Sequence, residues 1–154
     1  MSAPTLRCVG LSRWYGEVQG LSGLTVEVDR GVVGLLGPNG SGKSTLMKLL
    51  NGLIRPSRGF VELFGQPVGP DSHALFDRIG YAPGEDVHFE TERAIDFLGL
   101  LAQLGGERGA GARARAEAAL AKVDLADKAG VRLQAMSKGM RQRLGLAQAL
   151  LGEP

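Results

Sequence analysis

The sequence contains a single cysteine among its 154 residues, so no disulfide can form within it. No apolar run approaches the roughly 20 residues that a membrane-spanning helix needs. We expect no signal peptide, because the N-terminus has no basic segment followed by an apolar one. The net charge of +2 is too small to indicate nucleic acid or an anionic membrane as a partner. The single cysteine excludes a scaffold held by internal disulfides and fits a reducing cytosolic setting.

The sequence does have the composition of a soluble globular domain, with 44% hydrophobic and 22% charged residues. Cys8 lies in a run that alternates like a strand, which predicts a small core residue rather than a reactive thiol. His73 and His88 have no metal-ligand spacing around them. We therefore interpret both histidines as surface or structural residues.

The most informative segment is residues 37–45, which follow the pattern G-x-x-x-x-G-K-S/T. The apolar run 31–36 before it predicts a buried strand, and the apolar residues within 46–50 after it recur as one face of a helix. A glycine turn that merely precedes a lysine would not have both flanks. Strand, glycine-rich loop and helix together predict a cradle for phosphate.

Each part of this loop has a chemical reason. Glycines let the backbone turn its N–H groups inward, and the following helix adds its unpaired N–H groups and its dipole. Lys43 is expected to reach the β- and γ-phosphates, Ser44 to offer a hydroxyl to Mg²⁺, and Thr45 to add a donor. The predicted phosphate-binding residues are Gly37, Pro38, Asn39, Gly40, Ser41, Gly42, Lys43, Ser44 and Thr45.

Composition and hydrophobic periodicity predict further elements around the loop. Asn51 and Gly52 are predicted to end the helix after the loop, and Thr91 is predicted to cap a later helix. Strands are predicted at Leu6–Val9, Leu24–Val28, Phe60–Phe64 and Ile79–Ala82, and helices at 71–78, from Thr91, at 111–122 and from Gly139 to Leu151.

Residues 136–144, with the segment that follows to Pro154, resemble the signature motif of ATP-binding cassette (ABC) ATPases. Three other stretches agree with that family in order and spacing. Arg13–Gly16 resembles the aromatic loop that stacks on adenine, 52–59 the segment after the phosphate-loop helix, and 78–83 the strand before the Q-loop. The resemblance covers essentially the whole chain. In detail, the chain is most similar to ATPase subunits of bacterial multidrug or antibiotic-resistance exporters. No Asn-Lys-x-Asp motif supports a GTPase.

The resemblance implies an α/β fold: a P-loop NTPase (ABC ATPase-like) core with an N-terminal antiparallel β-subdomain and an α-helical subdomain, truncated. It implies three regions. Residues 1–90 would form the β-subdomain and a partial P-loop core, 91–136 the helical subdomain, and 137–154 the signature motif and its helix.

The resemblance also implies ATP and Mg²⁺ as cofactors, with Tyr15 stacking on adenine, Trp14 pointing elsewhere and Ser44 meeting the metal. Two ATPase domains would meet head to tail, with Ser137 donating to the γ-phosphate and Gly139 letting a backbone N–H approach it. The alternative interpretation is a Ser-capped amphipathic helix whose apolar residues pack inward, and the two interpretations are compatible. Those apolar residues are Leu144, Ala147 and Leu151.

The chain departs from the family's pattern in several places. Gly84 stands where the Q-loop usually has Gln, sometimes Glu, and Glu85 is the candidate substitute one residue later. The alternative is that this role is lost or filled by water. Lys138 and Met140 replace the usual Gly and Gln of the signature and are interpreted as tolerated variants. The family continues into an apolar strand ending in Asp-Glu and then a switch histidine, and these are not in the sequence.

That last departure has two expected consequences. No catalytic residue is assigned, so we expect ATP turnover by these 154 residues to be near background. The core strands that would flank the phosphate-loop strand are also missing, so we expect its apolar side chains to be poorly covered. Those side chains are Val32, Val33, Leu35 and Leu36.

Two functions remain open from the sequence. The first is the energy-coupling ATP-binding subunit of an ABC transporter, an exporter by resemblance. It would dock through about 91–135 on a separate membrane-spanning subunit, at the inner face of the plasma membrane. The second is a catalytically inactive nucleotide-binding fragment that lacks Walker B and the catalytic Glu. No nucleic acid partner is expected. Soluble ABC proteins of translation or repair usually carry paired or heavily inserted cassettes, unlike this single one.

Overall fold

The computed structural model describes residues 4–69, 71–83 and 89–154. The chain divides into two units: Met1–Phe76, which holds a β-sheet, and Asp77–Pro154, which is mostly helical. None of the helices in these described ranges is both long and apolar enough to cross a membrane.

Four antiparallel strands form the sheet of the first unit, in the order β2-β1-β3-β4. The three strands predicted between residues 6 and 64 are confirmed, but the first two are longer than expected. The pairings of β1 shift near Gly10, whose φ of 56° is a left-handed conformation that suits glycine. This irregularity breaks the alternation that sequence reasoning follows. The strands are β1 (Leu6–Tyr15), β2 (Val18–Val28), β3 (Arg58–Leu63) and β4 (Gln66–Pro67).

The inner strand β1 brings Cys8 between Val26 of β2 and Val61 of β3. Cys8 is fully buried, and burial raises the pKa of its thiol. A buried neutral thiol packs as a small apolar group. The prediction that Cys8 is a core residue is confirmed.

Helix α1 (Lys43–Leu50) follows the glycine-rich loop and ends where the sequence predicts. Asn51 is its C-cap, Gly52 has a φ of 66°, and the N–H of Leu53 donates to the carbonyl of Lys48 at 2.9 Å. Leu46 and Leu49 are its buried residues. The short helix α2 (His73–Phe76) lies within the predicted 71–78, and His73 is exposed, as expected.

The predicted buried strand at 31–36 is wrong. Residues 32–38 are neither strand nor helix, Val32 is fully exposed, and Leu36 is 93% exposed. A buried parallel strand needs hydrogen-bonded neighbours, and no described strand pairs with this segment. The expectation that its apolar side chains are poorly covered is confirmed.

Three helices of the second unit pack around one apolar core. The predictions of helices at 111–122 and from Gly139 to Leu151 are confirmed to within one residue. Two 3-10 turns, Ala126–Lys128 and Leu133–Ala135, lie between the second and third helices. The helices are α3 (Ala94–Leu104), α4 (Ala110–Lys122) and α5 (Lys138–Leu150), and the fully buried core residues include Ala94, Leu98, Ala116, Leu120, Leu125 and Ala147.

The prediction that Thr91 caps α3 is wrong. Arg93 occupies the N-cap position, and no side chain caps this helix. The N–H groups of Ala94 and Ile95 instead donate to the carbonyls of Val131 and Ala129, at 3.1 and 3.0 Å. The first N–H groups of this helix therefore donate to backbone carbonyls of a loop distant in sequence. In other helices a capping side chain accepts these hydrogen bonds.

The predicted strand Ile79–Ala82 is also absent, and residues 79–83 are neither strand nor helix. This segment lies against helix α5, because a Cβ built on Gly80 would fall 2.3 Å from the carbonyl oxygen of Ala149. A short apolar run becomes a strand only beside another strand, and none of the described strands lies beside this one.

Candidate functional site

The glycine-rich loop turns sharply between residues 37 and 42. Gly37, Gly40 and Gly42 have φ angles of 153°, 82° and 90°, which side chains would strain. The N–H of Ser41 donates to the carbonyl of Pro38 at 3.3 Å. A backbone with several left-handed residues can direct successive N–H groups into one concavity.

Lys43 folds back over this loop. Its Nζ donates to the carbonyl oxygens of Gly37 at 2.8 Å and Pro38 at 2.6 Å, and to Oγ of Ser41 at 3.3 Å. Three neutral oxygens hold the ammonium group, so its positive charge is not cancelled by a carboxylate in these contacts. The loop therefore carries the positively charged ammonium group of Lys43, which can bind an anion.

The N-terminal end of α1 adds to this positive character. Gly42 is the N-cap and offers no capping side chain, and the first turn has no acidic residue. The N–H of Leu46 is the first to donate along the helix, to the carbonyl of Gly42 at 2.8 Å. The N–H groups of residues 43–45 therefore stand at a helix end that favours anions. Ser44 is exposed beside them.

Tyr15, the predicted adenine-stacking residue, ends β1 and is 43% exposed. The guanidinium of Arg13 lies over its ring, 5.1 Å from the ring centroid. Trp14 has a different neighbour, since the guanidinium of Arg58 lies 5.5 Å from its ring centroid. The ring of Tyr15 also lies beside Gly20 of β2.

Gly20 of β2 lies between the candidate site residues, and sequence reasoning missed it. A Cβ built on it would fall 2.7 Å from Cε2 of Tyr15 and 3.2 Å from Oγ1 of Thr45. A Cβ built on Gly42 would fall 2.5 Å from the carbonyl oxygen of Gly20. The available signal was a glycine inside a strand, which often marks a close approach of another backbone or ring.

An apolar cavity of about 410 Å³ is lined in part by the loop. Most of its lining residues are apolar, and Ser41, Gly42 and Lys43 are the exceptions. Burying a phosphate among aliphatic groups would cost far too much, so this cavity is not the phosphate site. Its aliphatic lining includes Leu21, Leu24, Val26, Val33, Leu36 and Leu46.

The predicted signature residues belong to the other unit. Ser137 is the N-cap of α5, and its Oγ accepts a hydrogen bond from the N–H of Met140 at 3.3 Å. Leu144, Ala147 and Leu151 are buried, so the interpretation of a Ser-capped amphipathic helix is confirmed. Gly139 lies in the exposed first turn, with nothing within 4 Å of a Cβ built there.

The structure thus brings residues 37–45 and Tyr15 together in the first unit, and it places Ser137 and Gly139 together in the second. Gly84 and Glu85, the candidate Q-loop residues, lie outside the described residues, and so does His88.

Solved structures of known proteins have a similar fold. A solved structure of an ATP-binding subunit of an ABC transporter is 31% identical, with a TM-score of 0.77 over 97% of this chain and 63% of that one. Together with the antiparallel sheet and glycine-rich loop, this similarity defines part of a P-loop NTPase fold of the ABC ATPase kind. Residues 21–154 match the family described as ABC transporter, and the chain belongs to that family.

Relatives within the family have diverse names. The chain is 40% identical to daunorubicin resistance ATP-binding protein DrrA3 of Streptomyces coeruleorubidus, over 94% of this chain and 46% of that protein. It is 34% identical to Nod factor export ATP-binding protein I of Ralstonia nicotianae, over 99% and 48%. It is 37% identical to phosphonates import ATP-binding protein PhnC of Anaeromyxobacter dehalogenans, over 98% and 33%. The chain spans less than half the length of each of these relatives.

Proposed function

We propose that the protein binds MgATP in the glycine-rich loop, as the ATP-binding subunit of an ABC transporter. The observation that carries the proposal is the placement of Lys43 over Gly37 and Pro38, at the open N-terminus of α1. A lysine held only by neutral oxygens can exchange them for phosphate oxygens without leaving a buried carboxylate unpaired.

The bound triphosphate would lie along residues 37–45. The backbone N–H groups of the loop and of the first helical turn would bind its oxygens, and Lys43 would neutralise charge on the β- and γ-phosphates. Ser44, exposed in that first turn, would supply an oxygen ligand to Mg²⁺, which otherwise keeps several waters. Tyr15 would stack on the adenine at the other end of the nucleotide.

Ser137 and Gly139 would act on a nucleotide held by a second ATPase domain, in a head-to-tail dimer. Both lie at the exposed N-terminal end of α5, whose first turn has no acidic residue. The dipole of this helix and a serine hydroxyl favour an anion, so each domain would complete the phosphate site of the other. ATP would then hold the two domains together.

We further propose that the transporter is an exporter. Two relatives support this direction by their names, one for daunorubicin resistance and one for Nod factor export. The phosphonates import protein is 37% identical to this chain, and its name argues against the exporter direction. The helical region at about 91–135 would dock on a membrane-spanning subunit, which would hold the protein at the inner face of the plasma membrane.

A second candidate function is nucleotide binding without hydrolysis. It is favoured by segment 31–36, which forms no strand and leaves Val32 fully exposed, whereas a P-loop NTPase core covers the strand before its phosphate loop with neighbouring strands. Lys43-dependent ATP turnover by the 154-residue chain would argue against this candidate, and background turnover with retained binding would support it.

The phosphate site is tested by Lys43→Ala, with Lys48→Ala as the matched control on the exposed face of the same helix. We expect Lys43→Ala to weaken binding of a fluorescent ATP analogue about 100-fold or more, since several charge-assisted hydrogen bonds are lost. Lys48→Ala should change the affinity less than about twofold. Unchanged affinity in Lys43→Ala would refute the site.

A further inference from the structure

One edge of the Tyr15 ring, Cδ2 and Cε2, lies against the backbone of Gly20. A Cβ built on Gly20 would lie 2.7 Å from Cε2 and 3.1 Å from Cδ2 of that ring, well inside the 3.5 Å or so at which carbon atoms normally meet. The same Cβ would lie 3.2 Å from Oγ1 of Thr45 in α1. The missing side chain therefore creates the space in which the aromatic ring approaches the phosphate-loop helix.

Gly20 also touches the loop itself. The carbonyl oxygen of Gly20 lies where a Cβ of Gly42 would be, at 2.5 Å. Two glycines thus face each other where β2 crosses the end of the phosphate loop. One residue of β2 fixes the position of the ring on one side and of the loop on the other.

Arg13 holds the ring from another direction. Its guanidinium lies 5.1 Å from the ring centroid of Tyr15, and its Nη1 donates to the carbonyl oxygen of Arg55 at 2.9 Å. This cation–π contact occupies one face of the ring. A base that stacks on Tyr15 would take the other face.

We propose that Gly20 is a positioning residue for nucleotide binding: its lack of a side chain sets the distance between the base-stacking ring of Tyr15 and the phosphate loop. The inference rests on the proposed function, because it concerns the affinity of that site for the base. Gly20 touches no phosphate and acts only through Tyr15. Its effect should therefore depend on whether the ligand carries a base.

The test compares Gly20→Ala with Gly34→Ala. Neither residue has a left-handed backbone, and a Cβ on Gly34 would meet nothing within 4 Å, so Gly34→Ala is the control. Calorimetric titrations measure the affinity for two ligands, ATP and inorganic tripolyphosphate, each in the presence of Mg²⁺. We expect Gly20→Ala to weaken ATP binding about fivefold, as for loss of one aromatic stack, and to change tripolyphosphate binding less than about twofold. Gly34→Ala should change neither.

A double-mutant cycle with Tyr15→Leu shows whether Gly20 acts through the ring. In the Tyr15→Leu background, where there is no ring to displace, adding Gly20→Ala should leave ATP affinity unchanged. The inference is overturned if Gly20→Ala binds ATP as the unaltered protein does, if it loses both ligands equally, or if it weakens ATP binding equally in both backgrounds. If Lys43→Ala binds both ATP and tripolyphosphate as tightly as the unaltered protein does, the proposed phosphate site fails and the inference fails with it.

Discussion

The two units of this chain differ in how far their apolar side chains are buried. In the helical unit, Leu98, Leu120 and Leu125 are fully buried in one core. In the sheet unit, the apolar segment 31–36 before the phosphate loop leaves Leu36 93% exposed. A helix forms its hydrogen bonds within itself and needs only one covered face. A parallel strand depends on neighbouring strands for its hydrogen bonds and on both faces for cover. The comparison shows that these residues alone form a covered core in the helical unit but do not cover the segment before the phosphate loop.

The sharpest test of this contrast replaces one leucine in each unit by alanine. Leu98→Ala empties part of a closed core and should lower the free energy of unfolding by about 3 kcal/mol. Leu36→Ala removes an exposed side chain and should change it by less than about 0.5 kcal/mol. Chemical denaturation followed by circular dichroism measures both values. An equal cost for the two variants would mean that Leu36 is covered in solution.

The same contrast explains which elements the sequence could predict. Helices α4 and α5 could be predicted to within one residue because the signals used for them, helix-forming composition and apolar spacing, are local, and their apolar residues are covered within the helical unit. The structure of residues 31–36 could not be predicted in this way. An apolar run indicates that a segment favours burial, but it does not indicate whether neighbouring strands are present to bury it.

The site follows a similar rule. Residues 37–45 could be predicted because the conformation of the loop is encoded locally, in glycines at fixed spacing. Gly20 could not, because its contacts with Tyr15, Thr45 and Gly42 arise only when strand and loop meet in three dimensions. Likewise, Thr91 was a reasonable capping residue by sequence, but carbonyls from a distant loop took the role.

The exposed segment also predicts a chemical property of the chain. Val32→Thr combined with Leu36→Thr should lower the fluorescence of a bound hydrophobic dye by roughly half, since contiguous exposed apolar groups bind such probes. Leu104→Thr is the control, because this leucine is also strongly exposed, at 76%, but lies on α3 of the closed unit. Its effect should be smaller. If Leu104→Thr lowers the dye signal as much as the double variant, the exposed apolar surface is not concentrated in the sheet unit.

The smallest expected effect separates two roles of Ser137 in the helical unit. Ser137→Ala removes the acceptor for the N–H of Met140 and should lower the free energy of unfolding by about 1 kcal/mol, measured by chemical denaturation. Ser137→Asp keeps an acceptor and adds a negative charge that suits a helix N-terminus, so stability should be retained. The same carboxylate would repel a γ-phosphate, so Ser137→Asp should also reduce ATP-dependent self-association in light scattering. If Ser137→Asp is as stable as the unaltered chain and associates equally well with ATP, Ser137 caps the helix and has no part in binding the nucleotide of a second domain.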